Sequence, residues 1–317
     1  MTSKTGPSGI LLIDKPRGMT SYDVVAVVRR LAGTRAVGHA GTLDPMAGGL
    51  LVLCLGRATR VAQFLSGLDK VYTGTIVLGA ISSTYDAEGD IREQDRPVPE
   101  EESVVRAAMA RQLGPGVQLP PPYSAVKVRG RKLYEYARAG EPVPRKPRNV
   151  HIWRFDLIQY DPPQARFEAR VGSGTYIRSM AHDLGLALGC GAYLSRLRRT
   201  RVGAFGVDQA IPLAELRADP DLLPARLLGV TEALTHLPKV TIQPEAERLV
   251  ATGRSFTTGH ILEFEGILNP GQPVLVIDTQ GRALSIVRPE PDEQLTETPV
   301  LGATAMIFRP LRVLAPA

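Results

Sequence analysis

Apolar residues in the first half of the chain recur in turn at strand and helix spacing. Residues 9–14, GILLID, form a short apolar run that predicts a strand. Residues 20–31 place valine and leucine side chains on one face at helical spacing, which predicts an amphipathic helix. Thr20 and Asp23 have the spacing of a capping box at the start of that helix, and Gly33 is placed to end it.

The same alternation extends to residue 188. Residues 50–56 predict a buried strand, and two-residue alternation over residues 70–80 predicts a second strand that carries Tyr72 on one face. Later segments predict strands at 149–160 and 165–171, and helices at about 61–68, 100–113 and 177–188. Strands and helices therefore alternate throughout this part of the chain.

The last 80 residues differ from the rest. A shift in composition near residues 220–240 indicates a domain boundary. Residues 238–317 predict mainly strands, including a hairpin that turns at Gln280 and Gly281 and a final strand or two. We expect a small β-barrel-like domain there, following a larger domain over residues 1–237.

A long polar stretch interrupts the larger domain at residues 120–148. It is rich in proline, glycine, lysine, arginine and tyrosine, with one short helix-like piece at residues 133–138. A stretch of this length without regular structure is either a functional loop or a disordered one, and the sequence leaves both alternatives open.

Composition excludes some classes of protein. Hydrophobic residues make up 44% of the 317 residues and charged residues 22%, which is ordinary for a globular protein. No apolar run approaches the roughly 18 residues of a membrane span, and the first residues include an aspartate and a lysine too early for a signal peptide. We therefore expect a cytoplasmic protein that does not contact a membrane.

The two cysteines, Cys54 and Cys190, lie among small or apolar residues and lack metal-binding spacing. Buried free thiols are the expected state, and neither a metal nor another cofactor is predicted. The net charge of +6 is uneven, with basic clusters at 129–132, 145–148 and 196–201. Such clusters attract nucleic acid through their charge, although solvated surface charges are the common alternative.

The segment GHAGTLDPMAGGLL, residues 38–51, contains a single carboxylate, Asp44, among glycines and a proline. Pro45 disfavours helical geometry at the preceding residue, so the Asp44 side chain is expected to be held in one direction. An Asx turn or a helix N-cap is the structural alternative for such an aspartate.

Tyr176 and Arg178 are the other candidates for chemistry. If the chain enters its helix in extended form, the two side chains share a face and can reach one pocket. Arg178 would then offer a bidentate partner that keeps Asp44 ionised, and a tyrosine ring would stack on a base. A surface ion pair is the alternative for Arg178, and a core position is the alternative for Tyr72.

Common nucleotide and hydrolase motifs are not found. GSGTYI, residues 172–177, follows a predicted strand and opens a helix, but Ile177 stands where a dinucleotide fingerprint needs glycine or alanine. The sequence contains no phosphate-binding GxxxxGK[ST] loop, no GxSxG elbow and no HExxH helix. Hydrolase and nucleotide-binding interpretations are therefore weakened.

Five segments together resemble the TruB family of bacterial tRNA pseudouridine-55 synthases. They are GILLIDKPRGMTS, GHAGTLDPMAGGLLVLCLGRATR, KVYTGTIVLGAISSTYDAEGD, PPPYSAVKVRGRKLYEYARAG and GSGTYIRSMAHDLG, in the family's order. The resemblance implies an α+β pseudouridine synthase catalytic fold, with a mixed and mainly antiparallel sheet flanked by helices. It also implies that residues 238–317 form a PUA-like RNA-binding domain.

The resemblance assigns roles to individual residues. Asp44 matches the catalytic aspartate, and Arg178 matches the arginine that pairs with it. Tyr72 matches the tyrosine that stacks on the target base, and His39 matches a histidine that enters the tRNA loop where the flipped bases had been. The remaining matches to residues that bind substrate are Tyr176, Lys15, Asp86 and Leu197.

The implied reaction is isomerisation of uridine 55 in the T-loop of tRNA, with the T-arm as partner and no obligate protein partner. We expect a monomer in which residues 120–148 clamp the RNA backbone through Arg129, Arg131, Lys132, Arg145, Lys146 and Arg148. Two rival hypotheses are an inactive RNA-binding or RNA-folding protein and a glycosidase-like hydrolase. The hydrolase would need a second carboxylate, for which Asp86 is the candidate.

Overall fold

A computed structural model describes residues 6–123, 127–128, 131–132, 145–291 and 306–315. The strands before residue 238 are β1 Gly9–Lys15, β2 Val37–His39, β3 Ala47–Leu55, β4 Lys70–Leu78, β5 Ala80–Ser82, β6 Ile91–Glu93, β7 Gly114–Gln118, β8 Lys127–Val128, β9 Arg131–Lys132, β10 Arg148–Asp161, β11 Gln164–Val171, β12 Ala192–Val202, β13 Phe205–Gly206, β14 Ile211–Pro212 and β15 Leu227–Leu228. The later strands are β16 Lys239–Ile242, β17 Phe256–Thr257, β18 Ile261–Glu265, β19 Val274–Ile277, β20 Ala283–Pro291 and β21 Met306–Val313.

The α-helices are short apart from three. They are α1 Ser21–Leu31, α2 Ala62–Ser66, α3 Glu102–Ala110, α4 Ile177–Leu188, α5 Leu213–Ala218, α6 Leu222–Ala225, α7 Val230–Ala233 and α8 Glu247–Ala251. Segments of 3-10 helix occur at Gly56–Val61, Val207–Gln209, Pro244–Ala246 and Thr258–His260. The predicted capping box of α1 is confirmed, because Thr20 Oγ1 accepts from the backbone N–H of Asp23 while the Asp23 carboxylate accepts from that of Thr20.

An 11-stranded mixed sheet forms the framework of the first part of the chain. Its order is β14-β1-β3-β12-β4-β11-β10-β7, and β2, β13 and β15 pair at its sides. Only the pairs β1–β14 and β3–β12 are parallel within this sheet as described. The expected α+β class, with a mixed and mainly antiparallel sheet flanked by helices, is therefore confirmed.

The later strands form a separate six-stranded sheet in the order β17-β21-β20-β19-β16-β18. The hairpin predicted at Gln280 and Gly281 joins β19 to β20, and Gly281 has the positive φ of 76° that its turn requires. This sheet starts at Lys239, close to the boundary that the composition indicates.

Two apolar cores cover the two faces of the large sheet. On one face, buried residues of α1, α3 and α4 pack against the sheet. On the other face, Leu50 and Val52 of β3 belong to the same cluster as Leu275 and Ile286 of the second sheet and Leu314. The two sheets therefore share a core and do not stand apart.

One central strand was not predicted from the sequence. Strand β12 lies between β3 and β4 and contains the basic run 196–201, which reads as a charged surface segment. Strand β7 was also missed, and it begins with a glycine and a proline shortly after the end of α3. The helix-like piece predicted at residues 133–138 lies outside the described residues.

The expected state of the two cysteines is confirmed. Cys54 and Cys190 are both buried and free, as predicted. In the described part of the chain, no helix is both long enough and apolar enough to cross a membrane.

Candidate active site

Asp44 lies on the loop between β2 and β3, and buried polar contacts hold this loop in place. The hydroxyl of Ser21, on the first turn of α1, accepts from the backbone N–H of Leu43 at 2.8 Å and donates to its carbonyl at 3.1 Å. The carbonyl of Asp44 accepts from the backbone N–H of Ala47 at 3.1 Å. The direction of the Asp44 side chain therefore depends on helix α1 as well as on Pro45.

Lys15 supports the same loop from below. This residue is fully buried at the end of β1, and its Nζ donates to the carbonyls of Pro16 at 2.9 Å and Met19 at 2.6 Å. The carbonyl of Pro45, next to Asp44, lies 3.5 Å from the same nitrogen. Burial lowers the pKa of Lys15 to about 8, against the opposing effect of Asp44 nearby.

Arg178 and Tyr176 reach the site from the start of α4. Tyr176 is the N-cap residue with extended geometry, φ −99° and ψ 113°, so the chain does enter the helix extended. The buried side chain of Gln118 holds this entry, since it accepts from the N–H of Tyr176 at 2.8 Å and donates to its carbonyl at 3.1 Å. Sequence reasoning missed Gln118, because a lone glutamine shortly before a run of prolines carries no distinctive pattern.

The guanidinium of Arg178 lies between two carboxylates. Its Nη2 donates to Oδ1 of Asp44 at 3.0 Å, while Nε lies 2.9 Å from Oδ2 with its N–H poorly aligned to that oxygen. Its Nη1 lies 3.2 Å from Oδ2 of Asp86. The side chains of Arg178 and Asp86 are 6% and 2% exposed, whereas Asp44 is 31% exposed. Asp44 is thus the accessible member of a buried ionic triad.

A cavity of about 230 Å³ opens beside this triad. Five residues that the sequence singled out line it: Asp44, Tyr72, Tyr176, Arg178 and Leu197. Three others do not, because Lys15 lies under the loop, Asp86 lies behind Arg178, and His39 lies on β2.

Two buried cations that the sequence did not single out complete the wall of the cavity. Arg199 of β12 is 1% exposed and donates to the carbonyls of Leu50, Thr42 and Gly41. Lys70 of β4 donates to the carbonyl of Ser66 at 2.7 Å, and burial, with Arg199 nearby, lowers its pKa to about 8. Among the described residues, neither cation has a carboxylate within salt-bridge distance, so the cavity wall carries net positive charge.

Strand alternation explains how Arg199 was missed. The basic run 196–201 contains Leu197 and Arg199 on the side of the cavity and Arg196 and Arg198 on the opposite side. Alternation from Leu197 leads to Arg199, but alternation from Leu194 leads to Arg196, because a bulge between Leu194 and Arg196 shifts the register of the strand. Strand β3 can pass close to Arg199 of β12 because residue 49 is glycine. A Cβ at Gly49 would lie 2.3 Å from the carbonyl oxygen of Arg199.

His39 is half-buried, and its Nδ1 has no hydrogen-bond partner among the described residues. Burial, together with the charge of Arg199, lowers the pKa of its imidazole, which favours the neutral ring. A neutral ring beside the Asp44 loop is suited to contact with bases.

The predicted clamp residues are only partly described. Arg145 is half-buried and donates to the Tyr85 hydroxyl at 3.3 Å and to the carbonyl of Pro120 at 3.1 Å, whereas Lys146 and Arg148 are exposed. Side chains of Arg129, Arg131 and Lys132 lie outside the described part of the structure.

Solved structures of protein and protein–RNA complexes contain the same fold. The chain superimposes on a Cbf5-Nop10-Gar1 complex with a TM-score of 0.76 and 28% identity, over 97% of this chain and 85% of that chain. A structure of an H/ACA RNP bound to a substrate RNA containing 2'-deoxyuridine matches with a TM-score of 0.75 and 25% identity, over the same shares. The chain therefore has the fold of the pseudouridine synthases.

Sequence comparisons give the family. The TruB family pseudouridylate synthase N-terminal domain matches residues 29–177, and the tRNA pseudouridylate synthase B C-terminal domain matches residues 178–235. tRNA pseudouridine synthase B of Syntrophotalea carbinolica is 42% identical over 279 residues, covering 86% of this chain and 90% of the relative. That of Opitutus terrae is 46% identical over 226 residues, covering 71% and 94%. The chain belongs to the TruB family, whose members isomerise uridine to pseudouridine in tRNA.

Proposed function

We propose that this protein isomerises uridine 55 in the T-loop of tRNA, and that Asp44 is the catalytic group. The observation that carries the proposal is the accessible carboxylate of Asp44, fixed by a buried arginine at the edge of a cavity with an aromatic wall. A uridine in a folded T-loop must flip out to reach such a cavity, at a cost of a few kcal/mol.

The reaction rearranges bonds and leaves the composition of the RNA unchanged. The bond from N1 to C1′ breaks, the uracil turns, and C5 bonds to C1′, while C5 loses a proton and N1 gains one. One carboxylate is enough for each of three routes, in which Asp44 attacks C1′, attacks C6 or removes the C2′ proton. None of these routes needs a metal or an external reductant.

Arg178 positions Asp44. Because Asp86 binds the other end of the guanidinium, Arg178 is held at both ends and Asp44 is held through it. This placement also counts against the glycosidase hypothesis, since Asp86 lies behind Arg178 and not across the cavity from Asp44.

The cavity walls bind the flipped nucleotide. The ring of Tyr72 stacks on the uracil, with Tyr176 and Leu197 as further contacts. His39 enters the T-loop to fill the space that the flipped bases leave, and Lys15 holds the catalytic loop from beneath. The positive charge of Lys70 and Arg199 draws the nucleotide inward.

The rest of the chain binds the tRNA body. Residues 1–237 form the catalytic domain, in which residues 120–148 close over the T-arm, and residues 238–317 form a PUA-like RNA-binding domain. The protein acts as a monomer in the cytoplasm, where its tRNA substrate occurs, and assists tRNA folding as well.

An unmodified tRNA transcript tests the proposal. After incubation with purified protein, carbodiimide block of reverse transcription is expected to give one stop, at uridine 55, while the mass of the RNA stays the same. Release of free uracil would identify a hydrolase. Binding without any modification would identify an inactive RNA-binding protein, and a stop at another uridine would refute the T-loop assignment.

A further inference from the structure

The face of the large sheet opposite to the catalytic cavity contains a second, larger groove. Its volume is about 570 Å³, and four arginines line it: Arg17, Arg166, Arg196 and Arg198. We refer to this groove, with these four residues, as the arginine groove. The catalytic function proposed above does not use it.

Strand register places the groove on the opposite face. Arg199 pairs with Tyr72, and both line the catalytic cavity, so their neighbours along each strand point the other way. Arg196 pairs with Thr75, which in turn pairs with Arg166 of β11. These three side chains form a row across three adjacent strands, with a small hydroxyl side chain between two arginines.

The remaining two arginines extend the groove beyond β12. Arg17, on the loop after β1, donates from Nε to the carbonyl of Met46 at 3.0 Å. Arg198 contacts Asp14 at 2.7 Å, and a Cβ built on Gly48 would lie within 4 Å of both arginine side chains. Arg17 and Arg198 therefore lie side by side next to β3.

The charge of the groove is poorly compensated. Asp14 pairs with Arg198, but within the described residues no carboxylate lies within salt-bridge distance of Arg17, Arg166 or Arg196. Glu168, the acidic side chain nearest along β11, is already paired with Arg154. Three like charges that converge on one open groove repel one another, and a bound polyanion would relieve that repulsion.

We propose that the arginine groove binds the sugar–phosphate backbone of RNA independently of the catalytic cavity. Guanidinium groups match phosphate oxygens with paired donors, and the hydroxyls of Thr73 and Thr75 on the floor add further donors. A single exposed ion pair contributes little, so one free phosphate gains little here. A chain of phosphates binds more tightly with each added contact, because each contact releases counterions.

An acidic protein is the less suitable occupant. Protein interfaces are centred on fully buried apolar side chains, whereas the arginine groove presents one large exposed apolar side chain, Ile158. The groove lining is otherwise dominated by arginine, threonine and glutamine.

Binding of a fluorescent oligoadenylate to the full-length protein tests the proposal. Oligoadenylate contains no uridine, and one equivalent of unlabelled T-arm hairpin, at a protein concentration above its Kd, occupies the catalytic side throughout and leaves no excess hairpin for the groove. The wild-type protein is expected to bind the probe, with an affinity that falls as salt increases from about 50 to 200 mM. In the double variant Arg166→Gln/Arg196→Gln, the slope of log affinity against log salt should fall by about 1.4, because each contact with a single strand contributes about 0.7.

The matched control is Arg111→Gln/Arg217→Gln, which removes the same charge from two exposed arginines outside the groove. It should keep the wild-type slope, and both double variants should keep the wild-type melting temperature. The proposal is wrong if the hairpin displaces the probe from the wild type, or if the groove variant keeps the wild-type slope. Displacement by millimolar inorganic phosphate would instead indicate a small-anion site, and equal binding of polyglutamate would indicate a protein partner.

Discussion

Asp44 and Arg178 are 134 residues apart in the chain, yet Nη2 of Arg178 donates to Oδ1 of Asp44 at 3.0 Å. The contact joins a loop before β3 to the first turn of α4. Arg178 is almost fully buried and is also held by Asp86, whereas Asp44 keeps about a third of its side chain exposed. The arginine is therefore the fixed partner, and the carboxylate is the group that is open to the cavity.

Asp44→Asn should abolish isomerisation and leave tRNA binding within about tenfold, or 1.4 kcal/mol, of the wild type. Asparagine is nearly the same size and still offers an oxygen to Arg178, but it carries no charge for chemistry. Pseudouridine mapping measures the reaction, and filter binding measures affinity. Appreciable turnover by this variant would remove Asp44 from the mechanism.

Asp86→Asn tests whether Arg178 needs its second carboxylate. Because Asp86 is buried, loss of its charge should lower the free energy of unfolding by roughly 1–3 kcal/mol. A small displacement of Arg178 should lower kcat by up to about 100-fold and leave KM nearly unchanged. Urea unfolding and single-turnover rates measure the two effects.

The control for this experiment is Asp90→Asn, an exposed aspartate four residues along the chain. It should keep both the stability and the rate of the wild type. If Asp86→Asn kept the wild-type kcat, Asp86 would have a structural role only.

Tyr72→Phe and Tyr72→Leu separate base stacking from packing. Phenylalanine keeps the aromatic face, so the Tyr72→Phe variant should lose only the contribution of the hydroxyl group to kcat/KM. Leucine fills similar space without a ring and should weaken transition-state binding by a further 1–3 kcal/mol or so. Comparison of kcat/KM for the two variants measures the difference, and equal values would show that Tyr72 is a core residue without a stacking role.

Local patterns were sufficient for most of the individual elements. Helix α1 was predicted from its apolar stripe and the capping box at Thr20, and both signals depend only on neighbours in the chain. Strands β3 and β4 were predicted from their apolar run and alternation. The residues that meet at the cavity could be proposed because motif resemblance supplied pairings over long sequence separation.

The missed features depend on tertiary contacts. Strand β12 has arginines on one face because that face lines an open groove, and it has Arg199 on the other because backbone carbonyls there satisfy a buried guanidinium. A pattern search that treats arginine as a surface residue therefore reads a central strand as a charged segment. Gln118 was missed for a related reason, since its partner Tyr176 lies 58 residues away.

Ile286→Ala tests whether the two sheets unfold together. Ile286 is fully buried in the cluster that Leu50 of β3 and Leu275 of β19 share. Removal of its side chain should lower the free energy of unfolding by about 2–5 kcal/mol in one cooperative transition that both sheets follow. Ile267→Ala, at a position that is 75% exposed, is the matched control and should have little effect. Two separate transitions, of which only that of the six-stranded sheet shifts in the variant, would show that the shared core does not couple the sheets.

Lys70→Met should change how stability depends on pH. Burial lowers the pKa of Lys70 from 10.5 to about 8 in the folded protein. Between these two values the unfolded chain still holds a proton that the folded protein has released, so this lysine makes the free energy of unfolding rise with pH. Below pH 8 both states are protonated, and the contribution is constant.

For one lysine the rise amounts to at most about 3 kcal/mol over this window. Urea unfolding of the wild type and the variant at several pH values isolates it, because Lys15 and all other groups contribute equally to both proteins. The wild type should gain more stability than Lys70→Met as the pH increases from 8 to 10.5. Lys146→Met, which removes an exposed lysine, should follow the wild type. Parallel profiles for the wild type and Lys70→Met would mean that Lys70 stays protonated in the folded protein, and that the cavity wall keeps its charge throughout this range.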